Sequence, residues 1–164
     1  MTFNTPAEGT FGAKQPGGRL LNWFNTWNSK SIRRKGVATA MSGGKVVKMD
    51  ALVLTTVGRR SGEPRSTPLA WFPGPDGSWL IAASANGAAK HPAWYHNIAA
   101  NPDQVTIELA GRTVPVRAEE LHGAQRETAW NQIISRAPTF TAYEQQTDRE
   151  IPVIRLTARP AGSR

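Results

Sequence analysis

From Ala51 onward, apolar residues recur at every second position in short runs broken by turn signals, and this pattern does most to restrict what the chain can become. Period-two spacing puts alternate side chains on opposite faces of an extended strand. Ala51 to Thr56 is one such run, bounded by Gly58. Thr67 to Phe72 is a second, followed by the dense turn signal Pro73-Gly74-Pro75-Asp76-Gly77, and Trp79 to Ala83 is a third. Gln104 to Leu109 and Thr113 to Ala118 flank Ala110-Gly111-Arg112, which reads as a hairpin loop, and Ile151 to Thr157 is the last strand. Pro68 and Pro115 fall inside strand patterns, so those strands should carry an edge or a bulge there.

Three stretches of helical spacing interrupt these runs. Pro92 suits the first turn of a helix that ends near Asn101-Pro102. Trp130, Ile133, Ile134 and Ala137 share one face of a helix over Gly123 to Ala137, and Pro138 opens a short helix carrying Phe140 and Tyr143. Roughly six strands joined by mostly short connections predict a mainly β fold, an antiparallel barrel dressed with helices.

The first 50 residues differ in texture. Residues 1–18 hold four Gly and two Pro and little that is apolar, and read as a disordered arm. Leu20, Leu21, Trp23, Phe24 and Trp27 then recur at spacings of three and four, the mark of an amphipathic helix over 19–36 that runs into Lys30, Arg33, Arg34 and Lys35 and stops at Gly36. The barrel domain is expected over 37–160. Of the formal net charge of +8, residues 1–50 contribute +6. The excess therefore points to an anionic ligand or surface met by the N-terminal segment, and away from a nucleic-acid binder. The helix reads either as docked on the barrel or as lying on anionic lipid. There is no cysteine, so disulfides and thiolate metal sites are excluded. With no signal-peptide pattern, the expected address is the cytoplasm, with peripheral contact on the inner face of the plasma membrane as the alternative.

Three segments carry candidate chemistry. Thr55-Thr56-Val57-Gly58-Arg59-Arg60-Ser61-Gly62-Glu63-Pro64-Arg65 links two strands and sets three arginines within seven residues. Guanidinium groups fork onto phosphate or carboxylate oxygens, so the loop reads as an anion cradle or as a solvated hairpin tip. In Ser84 to Asn97 a strand ends and a helix begins, with Trp94 and Asn97 placed to stack on and bond a planar ligand. The competing reading makes Trp94 or Tyr95 core and His91 a helix cap. Phe140 and Tyr143, at i and i+3, wall a pocket or fill the core. Asp148 and Arg149 read as a local ion pair. The three histidines lack metal-ligand spacing, and no dinucleotide fingerprint, phosphate-binding Walker loop or nucleophile elbow is present.

Thr56-Val57-Gly58-Arg59-Arg60-Ser61-Gly62-Glu63-Pro64-Arg65, Thr67-Pro68-Leu69, His91-Pro92-Ala93-Trp94-Tyr95-His96-Asn97 and Thr147-Asp148-Arg149-Glu150-Ile151-Pro152 together resemble the deazaflavin-dependent nitroreductases and quinone reductases of actinobacteria. The resemblance spans roughly residues 20–160, in order and with similar gaps. It implies a split β-barrel like that of the pyridoxamine-phosphate-oxidase and FMN-binding group. It also implies coenzyme F420, a deazaflavin with a phosphate and an oligoglutamate tail, and hydride transfer to a quinone, enone or nitroaromatic. Carried over residue by residue, it puts Arg59, Arg60 and Arg65 on phosphate and tail, Pro68 beside the ring, and Ser84 under it near the reactive carbon. Trp94 and Asn97 line the cofactor groove, and Phe140 and Tyr143 line the acceptor pocket. Flavin mononucleotide is the alternative cofactor, a non-catalytic membrane-associated module the alternative function, and a monomer or weak homodimer the expected state. The sequence departs from the nitro-drug-activating members at Ala70, Ala85, Ala137 and Phe140, where the resemblance would place tyrosine, lysine, tyrosine and tyrosine. Those departures weigh against bicyclic nitroimidazoles more than against cofactor use.

Overall fold

Alternation of apolar and polar residues produces strands whose two faces are covered by different partners, and that is how the sheet of this chain is built. The computed structural model describes residues 3–13, 29–42 and 45–160. Eight strands occur in the order β1 (Val37–Ser42), β2 (Lys45–Val57), β3 (Pro64–Ala70), β4 (Phe72–Pro73), β5 (Trp79–Ala82), β6 (Val105–Leu109), β7 (Arg112–Glu120) and β8 (Val153–Ala158). Three helices, α1 (Ala93–Ala100), α2 (Gly123–Arg136) and α3 (Thr139–Gln145), are set between them. Every pairing is antiparallel, in the order β1-β2-β6-β7-β8-β5-β4, with β3 also on β2. Only Trp71 separates β3 from β4, so the chain itself draws the two ends of the sheet toward each other and curls it.

In β2, Leu52 and Leu54 face a core shared with Ile81, Ile107, Val116, Ile154 and Leu156, which α1 closes with Trp94, Tyr95 and Ile98. Ala51 and Val53 face the other way, onto Ile32. In β5, Ile81 faces the first core, while Leu80 and Ala82 pack beneath α2 and α3 with Trp130, Ile133 and Phe140. A strand buried on both faces reads as a continuous apolar run, which is why Leu52 to Leu54 and Leu80 to Ala82 show no polar alternates.

The expected barrel with flanking helices is the architecture found, with eight strands where roughly six were expected. The added strands are β1 and the two-residue β4, and β2 begins at Lys45, not Ala51. Lys45, Val46 and Lys48 are exposed, so the first half of β2 shows no apolar face to the reader of the sequence. Both prolines sit where a missing N–H does no harm. Pro68 lies on β3, which among the described strands pairs with β2 alone. Pro115 donates nothing, its carbonyl accepts from Arg159 N at 2.9 Å, and the ladder to β8 starts at Val116, one residue beyond.

Residues 29–35 are helical and end where expected, at Gly36, whose φ of +69° suits the left-handed turn that stops a helix. Ile32 is fully buried, Gly111 N donates to Arg33 O at 2.6 Å, and the Arg33 guanidinium meets Glu108 at 2.9 Å. This turn is therefore docked on the barrel. Leu20, Leu21, Trp23, Phe24 and Trp27, which carry the rest of the expected helix, lie outside the described residues.

Of the arm expected over 1–18, residues 3–13 are described, and residues 1–2 and 14–18 lie outside the described residues; the bonds of 3–13 are specific. Residues 3–13 form a strap. Asn4 N donates to Glu120 at 2.8 Å, Gly9 N to Ala89 O at 2.8 Å, and Ala13 N to Gly87 O at 2.9 Å. Composition rich in Gly and Pro predicts disorder because it offers little apolar surface; here backbone hydrogen bonds, Glu120 and a second carboxylate supply the hold instead. The second carboxylate is Asp148, which accepts from Thr10 Oγ1 at 2.6 Å and Thr10 N at 2.7 Å. These bonds, the Thr10 hydroxyl above all, hold its pKa below the usual carboxylate range. A depressed acid stabilises the folded form fully above its ordinary value of about 3.9 and stops doing so as the pH falls through the lowered value. The Thr10 amide resonance is expected to titrate with a midpoint below that value, and Asp148→Asn to abolish the transition. A midpoint at or above the ordinary value would remove Asp148 as the anchor.

Candidate functional site

The loop between β2 and β3 is a tight turn closed on itself. Gly58 N donates to Glu63 O and Gly62 N to Gly58 O, both at 2.8 Å, and Glu63 N donates to Ser61 Oγ at 3.2 Å. Closed by these bonds, the turn leaves Arg59 and Arg60 exposed at the tip and Arg65 exposed as the second residue of β3. None of the three pairs with a carboxylate among the described residues, in contrast to Arg33, Arg117, Arg126 and Arg155. They line a groove of about 480 Å³ with Trp94 and Asn97 of α1.

Asn97 is a clamp as well as a lining residue. It is 8% exposed; its Oδ1 accepts from Arg59 N at 3.1 Å, and its Nδ2 donates to the buried Thr56 hydroxyl at 3.2 Å. One amide thus ties the arginine turn to α1 and β2. Trp94 lines the groove while Tyr95 turns into the core, fully buried, and donates its hydroxyl to buried Glu120. Burial, and then that bond, push the Tyr95 pKa far above the ordinary phenol value. Nearby His96 is held below the ordinary imidazole value by burial, then by the Arg59 charge, so its ring is neutral at pH 7.

The remaining expected site residues gather in a second groove, of about 810 Å³. Pro68 of β3, Ser84 after β5, and Phe140 and Tyr143 of α3 line it, with Trp71 between the strands. Phe140 and Tyr143 are in edge contact at 5.2 Å between centroids, and Phe140 meets Phe72 edge-on at 5.6 Å. Phe140 is both core and wall, at 9% exposure. Burial raises the Tyr143 pKa, so the phenol keeps its proton at neutral pH. Strand β3 borders both grooves: its beginning lines the cationic one and its end the aromatic one. At about 3.3 Å per residue, Arg65 and Pro68 lie about 10 Å apart along that strand. A ligand with an anionic tail at one end and a flat ring at the other matches this arrangement.

Two expectations about this region are corrected. His91 is not a helix cap: Pro92 takes that position, and His91 Nδ1 faces the Arg149 guanidinium at 3.1 Å while Nε2 faces Pro6 O at 2.8 Å. A guanidinium only donates, so Nδ1 accepts and Nε2–H donates. Nor do Asp148 and Arg149 pair with each other. Asp148 holds the strap, and Arg149, 4% exposed, donates to the Ala83, Ser84 and Ala88 carbonyls. Sequence reasoning missed Arg149 because its partners are backbone atoms far away in the chain. The sole hint was an arginine inside one of the four recurring motifs.

Comparisons with known proteins bear on this geometry. Residues 27–158 match the family described as F420H(2)-dependent quinone reductase. An F420H(2)-dependent quinone reductase of Mycobacterium tuberculosis is 37% identical over 113 residues, 66% of this chain and 74% of that one. A solved F420-H2 dependent reductase, FDR-A, superposes with a TM-score of 0.59 at 35% identity, covering 65% of this chain and 93% of that one. A second solved chain, described as a domain-swapped dimer, gives the same TM-score and identity over 79% of its length. The match takes in both grooves and the strand between them, and the chain belongs to the F420H(2)-dependent quinone reductase family.

Proposed function

We propose that the two grooves divide the work of an F420H2-dependent quinone reductase, with the tail of the deazaflavin in the cationic groove and its ring in the aromatic one. The observation that carries the reading is the set of three guanidinium groups without carboxylate partners among the described residues at one end of β3, with Ser84 and the aromatic walls at the other. The residues fit the group on this ground: a cluster of exposed guanidinium groups suits phosphate and glutamate carboxylates, and the largely apolar groove suits a fused ring.

When bound, the reduced deazaflavin supplies a hydride. The protein supplies no nucleophile; it orients, excludes water and stabilises charge. Arg59, Arg60 and Arg65 hold the anionic end, with Asn97 keeping their turn in place. Pro68 and Ser84 border the ring. Phe140 and Tyr143 wall the quinone against it, and the Tyr143 phenol, kept protonated by burial, is able to hydrogen-bond a quinone oxygen. A quinone that accepts hydride also takes up one proton, which solvent supplies once the hydride has been transferred. The family match favours F420 over flavin mononucleotide.

The test is direct. Purified protein mixed with reduced F420 and menadione should reoxidise the cofactor, followed by its absorbance. No turnover above the buffer rate would defeat the proposal, as would purified protein carrying a flavin spectrum.

Exposed Lys30, Arg34 and Lys35 on the docked helical turn support a second reading, in which the protein makes peripheral contact with anionic membrane. None of the described helices is long and apolar enough to cross a membrane. Co-sedimentation with phosphatidylserine vesicles should then fall with salt and with the triple change Lys30→Glu, Arg34→Glu, Lys35→Glu. Binding that ignores both would show that these cations are not the contact.

A further inference from the structure

Arg149 is a buried cation that the scheme above leaves unused. Its Nε donates to Ala88 O at 2.9 Å, Nη1 to Ala83 O at 2.9 Å and His91 Nδ1 at 3.1 Å, and Nη2 to Ser84 O at 2.7 Å. All four acceptors belong to one stretch, 83–91, which leaves β5, turns through Ala85–Gly87 and enters α1. Burial lowers the Arg149 pKa, yet a guanidinium stays charged at any ordinary pH. A charged group is kept out of water here only because four acceptors replace the solvent.

The stretch it holds is not relaxed. Ala85 has φ +45°, in the left-handed region that residues with a Cβ avoid, and Gly87 follows at +82°. Such backbone persists where its surroundings over-determine it. Arg149 does so from within. The strap does so from outside, through Gly9 N to Ala89 O and Ala13 N to Gly87 O. Residues 147–149 join the two: Thr147 Oγ1 donates to Phe11 O at 2.9 Å, and Asp148 takes the Thr10 bonds.

We infer that Arg149 is a positioning residue for the quinone reductase reaction: by fastening the Ser84–Gly87 turn it sets the edge of the aromatic groove against which hydride is transferred. The inference rests on the reading of that groove given above. It separates two effects that a general loss of structure would join. The turn lines the aromatic groove through Ser84, whereas the tail groove is built on β2, β3 and α1 and receives no bond from Arg149. Losing Arg149 therefore disturbs the transfer step more than the hold on the tail. Lysine cannot replace it, because one ammonium cannot span four acceptors arranged for a planar fork.

The experiment compares Arg149→Lys and Arg149→Met with Val116→Ala, a core change in β7 that lowers stability away from both grooves. Three quantities are read: kcat with menadione, the Kd of oxidised F420 by fluorescence, and amide hydrogen exchange at Gly87 and Ala88. In Arg149→Lys, kcat should fall about tenfold or more, since displacements near 1 Å cost that much. Kd should stay within about threefold by the same reasoning, and the two amides should exchange faster than in Val116→Ala. Wild-type kcat, unchanged exchange, or a fall in kcat matched by an equal-fold rise in Kd would each overturn the inference. If Arg149→Met does not fold, Arg149→Lys decides alone. A wild-type protein that fails to turn over menadione would instead defeat the functional reading, and the exchange comparison would still judge whether Arg149 holds the turn.

Discussion

Replacing Arg59, Arg60 and Arg65 together with alanine is expected to weaken binding of oxidised F420 at least about a hundredfold, which corresponds to about 2.7 kcal/mol. A hydrogen bond to a charged partner contributes about 1.5–3 kcal/mol, and these exposed groups belong at the low end because water competes for them. Arg60→Ala alone should cost about tenfold. The three do not add fully, since neighbours that share a ligand relax into each other's place. The fold should survive, because none of the three holds a carboxylate among the described residues and the turn is closed by Gly58, Gly62 and Glu63. Fluorescence titration at low and high salt reads the effect. Wild-type affinity should drop with salt, and the triple variant should be both weak and less sensitive to salt. Equal affinities in the two proteins would move the anionic tail out of this groove.

Gly87→Val should lower the melting temperature by about 6–12 °C, the shift expected for about 3 kcal/mol in a chain of this length. Two costs combine. With φ at +82°, a β-branched residue is forced into a left-handed conformation, at about 1–2 kcal/mol. A Cβ at this position would also lie 2.7 Å from Gln146 Oε1, 3.0 Å from Gln146 Cβ and 3.2 Å from Tyr143 O. Overpacking of that kind costs about 1–3 kcal/mol. The side chain of Gln146 can swing away, but the Tyr143 carbonyl can move only with α3. The menadione KM should therefore rise as Tyr143 leaves the wall of the aromatic groove. Gly111→Val is the control. Its φ is +77°, and a Cβ there meets nothing within 4 Å, so it carries the conformational cost alone. Thermal unfolding of the two side by side checks the account; equal losses would show that α3 does not press on the turn.

How much of this could be read without the structure differs from element to element. The runs at Ala51 to Thr56, Thr67 to Phe72 and Trp79 to Ala83 were legible because burying one face of a strand forces the alternation, and the turn at Pro73 to Gly77 because proline and glycine restrict or free φ locally. Each is a property of a few adjacent residues. Strand β1 and the first half of β2 were not legible, because Lys45, Val46 and Lys48 stand in solvent and no core imposes a pattern on them. The arginine turn was legible as a candidate, and its residues come together as a groove. The role of Asn97 in tying that turn to α1 was not, since Thr56 and Arg59 reach it only across the fold.

The same division runs through the rest of the molecule. The order of residues alone determined where strands and helices alternate, which segments turn, and which cations and aromatics were available for a ligand, because these follow from local sterics and from the periodicity of burial. Only the tertiary structure decided that residues 3–13 are a strap, that Asp148 and Arg149 serve different partners, and that one strand joins a cationic groove to an aromatic one. Those outcomes depend on hydrogen bonds between residues as much as 138 positions apart in the chain, as between Thr10 and Asp148, and no local pattern encodes such a distance.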